Sequence, residues 1–377
     1  MDHPTGSIAL ATALLAIPPT YFVTQHADEL MREGRGYRFA AFPLASRVDG
    51  DATSVPIVPA LRRPAAYPQR ASLAKFAMPL QRRALVAAAP DLIHQHHGTW
   101  SGGARAASRA LGVPLVTTLH GTDVVSAARS APRGLQRIHQ QQTRAAFDES
   151  DLLLAVSDHQ RRLALSAGAP AERLHVHYQG VDTDYFRPAS AIESADRPLR
   201  LLFVGALIPQ KRADLVIEAS ALISRHQEHE LLIVGDGPER SRLEEKSASL
   251  PHVRILGSTD RDGVRQWMQR SDALILPSHS EGAGLVILEA QACGMAAVVT
   301  GGDGKAEMVA PGRTGTVVDS ENPSAADLAH AVLEWMPDGA EARRQIADAA
   351  RSFVVTERSV HGAADILDTY YRTLLGR

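Results

Sequence analysis

The chain of 377 residues has little cysteine, few aromatic side chains and no long apolar run. Its single cysteine, Cys293, excludes an internal disulfide and is typical of a reducing compartment. No apolar run approaches the roughly 18 residues that a membrane-spanning helix needs. The stretch from Ile8 to Ile17 is interpreted as a buried strand and not as a signal-peptide core, because no lysine or arginine precedes it. These features predict a cytoplasmic, globular protein of two domains.

Net charge is also small, at −2, but it is distributed unevenly. Residues 1–180 contain 19 of the 40 basic side chains but only 13 of the 42 acidic ones. The densest basic patch, in which no acidic residue intervenes, consists of Arg62, Arg63, Arg70, Lys75, Arg82 and Arg83. Two interpretations stay open: a solvated surface, or contact with membrane phosphates or a phosphorylated acceptor at the inner face of the membrane. No nucleic-acid partner is expected.

Short apolar runs alternate with helical patterns along the chain, which is typical of parallel α/β sheets. The alternation stops in a linker that opens at Gly180 and lasts to about Pro198, and then restarts. The sequence therefore predicts a first domain over 1–188 and a second over 198–355. Each would carry its own sheet, with polar segments such as the one ending at His120 at the carboxyl edge, where open parallel sheets bind ligands.

Complete metal and dinucleotide motifs are missing. Gly235-Asp236-Gly237 lacks the third glycine of a dinucleotide fingerprint. Asp182-Thr183-Asp184 matches a short metal signature, but its place in the linker favours a structural role. His94, His96 and His97 suggest zinc, yet in a strand the first two share a face and the third points away. Since no cysteine or carboxylate cluster completes a site, we predict no metal.

The most informative stretch is 272–294, a strand, a glycine-rich turn and a helix in succession. The helix pattern runs from Gly284 to Cys293 and ends at Gly294. Unpaired N–H groups and the helix dipole at its start favour an anion. Glu281 and Glu289 would be about 12 Å apart if all eight residues were helical. That exceeds the roughly 5–9.5 Å that separates the two catalytic carboxylates of a glycosidase. The spacing suits a long ligand with a central phosphate. The alternative is a core helix with a surface glutamate at each end.

This stretch resembles the retaining glycosyltransferases of family 4, which have the GT-B fold. Residues 277–278 and 281–294 reproduce the E-x7-E signature and its flanks. Further similarity lies at 91–96, 118–123, 180–188, 204–205 with Lys211, 235–238, and 301–302 with Glu307. The resemblance implies an α/β protein with two Rossmann-like domains facing across a deep cleft. It also implies that a C-terminal helix at about 356–377 packs back on the first domain.

The resemblance further implies how one donor molecule, a UDP- or GDP-sugar, is held. Glu281 would accept hydrogen bonds from the sugar, Glu289 from the ribose, and Lys211 would neutralise the diphosphate. His120 would lie near the reacting centre. The other expected contacts are the amides of Gly282, Ala283, Gly284 and Leu285 for the diphosphate, Gly205 in the loop near Lys211, and Ile255 and Leu256 for the base.

One departure from the family affects the phosphate site. Ala206 stands where an arginine is common, and we expect Arg212 to supply the missing charge. The implied reaction is transfer of the sugar to an acceptor hydroxyl with retention of configuration, without a cofactor or metal. The acceptor would be a glycan, a lipid-linked molecule or a small natural product. Two alternatives remain: a non-catalytic nucleotide-sugar-binding protein of the same fold, and a sugar-nucleotide epimerase.

Overall fold

The computed structural model describes residues 6–17, 20–48, 52–61, 70–189, 197–319, 322–336 and 339–376. The chain divides into two compact units, the first made of Met1–Gln179 with Val360–Arg377 and the second of Gly180–Ser359. Each unit is built on a six-stranded, all-parallel sheet. The predicted parallel α/β architecture is therefore confirmed.

The first unit alternates strands and helices from its start. Its sheet has the order β2-β1-β3-β4-β5-β6, so the chain changes direction across the sheet between β1 and β3. The elements are β1 (Gly6–Ile17), α1 (Gln25–Arg32), β2 (Tyr37–Val48), α2 (Arg70–Ala88), β3 (Leu92–His96), α3 (Gly102–Leu111), β4 (Leu115–Leu119), α4 (Thr122–Ala128), α5 (Leu135–Glu149), β5 (Leu152–Ala155), α6 (Asp158–Ser166) and β6 (Leu174–Val176).

The central strand β1 shows why this sheet forms. It pairs with β2 on one side and with β3 on the other, where Ile8 lies opposite Leu92. Its side chains alternate between two buried clusters: Ile8 and Leu10 pack on one face, and Ala9 and Ala11 on the other. Since both faces are covered, the strand is a nearly continuous apolar run.

The second unit repeats the design with a different strand order, β12-β11-β10-β7-β8-β9. Ala273 of the central strand β10 lies opposite Leu201 of β7 and Ala296 of β11. The elements are β7 (Leu199–Val204), α7 (Ala213–Ile223), β8 (His229–Val234), α8 (Arg240–Ser247), β9 (Val253–Gly257), α9 (Arg261–Met268), β10 (Ala273–Leu276), α10 (Leu285–Ala292), β11 (Ala296–Thr300), β12 (Gly315–Val318), α11 (Ala325–Trp335) and α12 (Ala340–Glu357).

The last helix, α13 (Val360–Leu374), belongs to the first unit. Its Leu367 and Tyr371 enter the same buried cluster as Ile8 and Leu10. The hydroxyl of Tyr371 lies 2.6 Å from Nδ1 of His94, and the carboxylate of Asp368 accepts the hydroxyl of Tyr37 at 2.7 Å. The chain thus returns to the first sheet after completing the second.

The first unit ends earlier than the predicted boundary at 188. Arg351, on α12, donates hydrogen bonds to the carbonyl oxygens of Thr183, Phe186 and Ala292 at 2.9, 2.8 and 3.0 Å. Phe186 is fully buried. These contacts tie residues 180–188 to the second unit, and α12, which runs to Glu357, also stays with it.

Only part of the basic patch can be located on α2. Arg82 and Arg83 are exposed on this helix. Arg62 and Arg63, and the side chains of Arg70 and Lys75, lie outside the described residues. Across the described part of the chain, no helix combines the length and the apolar character required for a membrane span.

A group of histidines lies inside the first unit. Burial lowers the pKa of both His26 and His94 from 6.5 to about 3, with charge repulsion among neighbouring histidines adding to the effect. Burial also lowers the pKa of His177, whose ring lies 5.2 Å from that of His26. His26 Nε2 is 2.6 Å from the carbonyl oxygen of Gln179, and His177 Nε2 is 2.9 Å from that of Ala363. The folded unit therefore holds these rings neutral.

We expect the first unit to lose stability steeply as the pH falls below 6.5. Below that pH, His26 and His94 bind protons in the unfolded chain, whereas in the folded chain they stay neutral until about pH 3. Together they should lower the free energy of unfolding by about 4 kcal/mol between pH 7 and pH 5. Urea denaturation followed by circular dichroism at several pH values measures this.

The matched variants for this prediction are His26→Gln and His226→Gln. The first removes one buried titrating ring, so the loss of stability between pH 7 and pH 5 should fall by about 2 kcal/mol. His226 is exposed, and its replacement is the control, which should change the free energy of unfolding at pH 7 little. An unchanged slope in His26→Gln would contradict the assignment.

Candidate functional site

The candidate site of the second unit lies where β7 and β10 are neighbours. The chain leaves β7 toward β8 on one side and leaves β10 toward β11 on the other. Open α/β sheets bind ligands beyond the carboxyl ends of two such strands. Lys211 ends a short 3-10 turn in the loop after β7, and Glu281 lies in the loop after β10. The topology therefore brings these two predicted residues to one edge.

Lys211 and Glu281 are in direct contact. Nζ of Lys211 donates to Oε1 of Glu281 at 2.5 Å, and both side chains keep part of their surface exposed. The same two loops are joined twice more: the N–H of His279 donates to the carbonyl of Gln210 at 2.9 Å, and the Gln210 amide donates to the carbonyl of Ser280 at 3.0 Å. The pair is thus held by backbone as well as by charge.

Helix α10 begins at Leu285 and no side chain caps it. Gly284 precedes it with φ of +70°, and a Cβ there would lie 3.0 Å from Ile287, so glycine suits the position. Gly282, Ala283 and Gly284 form the turn beside this helix start, where N–H groups favour an anion. Gly294, with φ of +86°, follows the helix as predicted.

The two glutamates differ from the expected arrangement in one respect. Glu281 precedes α10 by four residues, whereas Glu289 lies inside the helix and is buried. The estimate of about 12 Å assumed eight helical residues and does not apply, because the turn at 282–284 is not helical. Burial and the charge of Glu289 raise the pKa of Cys293 to about 12, so this thiol is protonated at neutral pH.

A third loop, after β11, holds the backbone of Glu281 in place. Oδ2 of Asp303 accepts the backbone N–H of Glu281 at 2.8 Å and also accepts Nζ of Lys305 at 2.8 Å. Asp303 and Lys305 are both buried. The sequence did not identify either residue, since neither belongs to a recognised motif and lysine is rarely buried.

The two glycine-containing loops at β7 and β8 pack closely together. A Cβ on Gly235 would lie 1.9 Å from the carbonyl oxygen of Gly205, and one on Gly237 would lie 2.4 Å from that of Leu207. The N–H of Leu207 donates to the carbonyl of Asp236 at 2.9 Å. Gly235 and Gly237 are therefore required for the packing of the loop that carries Lys211.

The remaining predicted donor residues are placed around this edge. Arg212 has φ of +54° and donates to the carbonyl oxygen of Pro323 at 3.0 Å, while Ala206 is exposed. Ile255 and Leu256 are half-buried on β9, which is the outermost strand on one side of the sheet. The assignment of Arg212 to a phosphate, and of Ile255 and Leu256 to the base, stays a prediction.

The Asp182-Thr183-Asp184 segment is a turn. Oδ1 of Asp182 accepts the N–H groups of Asp184 and Tyr185 at 3.0 and 2.9 Å. This side-chain turn is a common structural use of aspartate. The segment therefore has the structural role that its position in the linker predicted.

His120 lies in the first unit, directly after β4, in a loop organised by one carboxylate. Asp123 is completely buried and accepts four backbone N–H groups. Oδ2 accepts those of Gly98 and His120 at 3.0 and 3.3 Å, and Oδ1 accepts those of Gly121 and Val124 at 2.8 and 3.0 Å. Asp123 thus joins the loops after β3 and β4. The matched stretch 118–123, to which it belongs, did not predict this role.

Aromatic rings surround His120. Nε2 of His120 is 3.1 Å from Nδ1 of His96, and the ring centroid of Phe22 is 4.6 Å from that of His120. The rings of His94 and His96 are stacked at 4.5 Å, which confirms that they share a face. Burial, with repulsion from neighbouring histidines, places the pKa of His96 and of His120 well below 6.5. Both rings are therefore neutral hydrogen-bonding groups at neutral pH.

The prediction that His97 points away from the other two histidines rests on strand geometry that ends one residue earlier. Strand β3 ends at His96, and His97 has φ of +65°, so the alternation of a strand no longer applies. Its ring lies 4.4 Å from that of His120. Among the described residues, the ligand atoms that could hold a metal converge elsewhere, at Glu29 on α1, Glu33 just after it and His361 on α13.

Comparison with known proteins matches each half of the chain to a family. The family model described as Glycosyltransferase Family 4 matches residues 20–185, and the one described as Glycosyl transferases group 1 matches residues 189–353. A D-inositol 3-phosphate glycosyltransferase 2 from Catenulispora acidiphila is 35% identical over 268 residues, which is 64% of this chain and 61% of the relative. The match thus spans about three fifths of that relative's length.

Solved structures show the fold. Anabaena Alr3699/HepE in complex with UDP-glucose superposes with a TM-score of 0.77 at 20% identity, covering 98% of this chain and 100% of the other. Sucrose-phosphate synthase from Thermosynechococcus elongatus gives a TM-score of 0.81 at 19% identity, covering 98% and 99%. At this level of identity the likeness concerns architecture, and it confirms the expected GT-B fold.

We predict that Asp123→Asn lowers the free energy of unfolding by about 1–3 kcal/mol, because an amide N–H₂ would then face backbone N–H donors that lose their acceptor. Urea denaturation at pH 7 measures the loss. Asp158→Asn is the control, since the Asp158 side chain is 46% exposed in its ion pair with Arg162 and should contribute well under 1 kcal/mol. Equal effects of the two variants would argue against the role assigned to Asp123.

Proposed function

We propose that this chain transfers a sugar from a nucleoside-diphosphate sugar to an acceptor hydroxyl with retention of configuration. It belongs to the GT-B glycosyltransferases through the families matched in its two halves. The observation that carries the proposal is the contact of Lys211 with Glu281 beside the uncapped start of α10, at the switch point of the second sheet. A cation, a carboxylate and a helix N-terminus there provide separate partners for phosphate and sugar hydroxyls.

The chemistry assigned to each group follows from its charge. Lys211 would stabilise the charge that develops on the leaving diphosphate, while Glu281 accepts hydrogen bonds from the donor sugar. Glu289 would accept the ribose hydroxyls. His120, held neutral by burial, would act near the reacting centre as a hydrogen-bonding group and not as a cation. No residue is assigned as a covalent nucleophile, and the leaving phosphate would take the acceptor proton.

The donor is proposed to be a UDP- or GDP-sugar. UDP-glucose is the first donor to test, because it is bound in the Anabaena structure that shares this fold. For the acceptor, the inositol-phosphate transferases among the relatives make a phosphorylated polyol the first choice, with glycans and lipid-linked acceptors as further arms of the assay. Contact of the Arg62–Arg83 segment with the inner face of a membrane, in a cytoplasmic protein, remains a proposal that rests on charge alone.

We expect the purified chain to release nucleoside diphosphate from one UDP- or GDP-sugar slowly without an acceptor and faster with one. Released diphosphate is measured by a coupled assay, and the anomeric configuration of the product by NMR. Binding of the sugar nucleotide with no release under any condition would favour a non-catalytic binding protein. Conversion of the sugar with the diphosphate bond intact would favour an epimerase.

The assigned roles predict different kinetic effects. Glu289→Ala should weaken binding of the free nucleoside diphosphate by roughly tenfold or more, since it loses hydrogen bonds to the ribose. Glu281→Ala and His120→Ala should lower kcat by about 100-fold and leave that affinity nearly unchanged. Calorimetry and initial-rate kinetics measure the two quantities. The reverse pattern would show that the roles are misassigned.

A further inference from the structure

Lys305 and Asp303 form a buried ion pair behind the candidate donor site. The Lys305 side chain is 1% exposed and that of Asp303 is 7% exposed, with Nζ 2.8 Å from Oδ2. Removing two charges from water costs several kcal/mol each, and their attraction compensates for this only if further hydrogen bonds are made. A buried pair is thus weak support for stability alone, and its position next to a proposed ligand site calls for another explanation.

The carboxylate of Asp303 connects this pair to Glu281. Its Oδ2 accepts the Glu281 backbone N–H at 2.8 Å, and its Oδ1 accepts the backbone N–H of Lys305 at 3.1 Å. Glu281 in turn contacts Lys211 through its side chain. A chain of contacts from Lys211 through Glu281 and Asp303 to Lys305 therefore joins the loops after β7, β10 and β11.

The stem of Lys305 lies against the start of α10. A Cβ on Gly284 would be 3.4 Å from Cβ of Lys305. Gln291, buried on α10, donates to the carbonyl of Met308 at 2.6 Å and so anchors the same segment to the helix. Within the described residues, the hydrogen bond recorded for Nζ of Lys305 is the one to Asp303. Its charge is therefore directed at Asp303, and through it at Glu281.

We propose that Lys305 is a positioning residue for recognition of the donor sugar. Its charge holds the Asp303 carboxylate in the interior, where that carboxylate fixes the peptide N–H of Glu281 and so the place from which the Glu281 side chain meets the sugar. Without Lys305, Asp303 would be a buried, unbalanced charge and would turn toward water, which releases Glu281. The proposal rests on the proposed function, because it concerns the same donor site.

The test compares affinity for a sugar nucleotide with affinity for the free nucleoside diphosphate, with UDP-glucose and UDP as the first probes. Lys305→Met keeps the stem and removes the charge. It should weaken binding of UDP-glucose by roughly tenfold or more and leave binding of UDP nearly unchanged. Lys246→Met is the matched control: Lys246 lies in the same unit, but its pair with Glu218 is exposed, and its replacement should change neither affinity.

A double variant separates a positioning role from a direct or purely structural one. Asp303→Asn with Lys305→Met removes both charges and keeps an amide oxygen that accepts the Glu281 N–H. If Lys305 acts through Asp303, the double variant recovers much of the affinity for UDP-glucose that Lys305→Met loses. Absence of recovery, an unchanged ratio of affinities in Lys305→Met, or equal loss of both ligands with a lowered Tm would each overturn the proposal. Failure of the unmodified chain to bind any nucleotide or sugar nucleotide would instead overturn the proposed function.

Discussion

In each unit the candidate residues depend on one constraint: all strands of a parallel sheet end at the same edge. The loops after β7, β10 and β11 are far apart in sequence but emerge side by side because their strands are neighbours. At that edge, polar contacts hold the loops in place, and the buried strands of the sheet do not provide such contacts. The Lys211–Glu281 contact and the bonds from Asp303 join these three loops, so the geometry of the site follows from strand order.

Much of this architecture could be predicted because its signals are local. Strand β10, the following turn and α10 lie within one continuous stretch, and apolar runs mark most other strands. What local patterns do not show depends on distant partners. The return of helix α13 to the first unit was expected from the family resemblance alone, because its contact between Tyr371 and His94 joins residues 277 apart in sequence. Near the boundary at Gly180, Arg351 binds the carbonyl oxygens of Phe186 and Thr183, which are 165 and 168 residues away in sequence.

The site residues divide in the same way. Glu281 and Glu289 were predicted because they belong to the E-x7-E signature, and Lys211 because it follows the matched residues 204–205. Asp123, Asp303 and Lys305 were not, because their importance comes from burial and from the N–H groups that they hold. A lysine in a polar, glycine-rich segment is normally interpreted as exposed. No pattern in sequence indicates that its charge faces an interior carboxylate.

The two candidate edges differ in their electrostatics, and this difference bears on mechanism. In the second unit, fixed charges of both signs meet the helix start, a suitable environment for a diphosphate whose charge grows as it leaves. In the first unit, burial keeps His96 and His120 neutral. A neutral ring donates or accepts a hydrogen bond without attracting the diphosphate. Under the proposed function, charge stabilisation would therefore belong to the second unit, and the histidines of the first would orient hydroxyl groups.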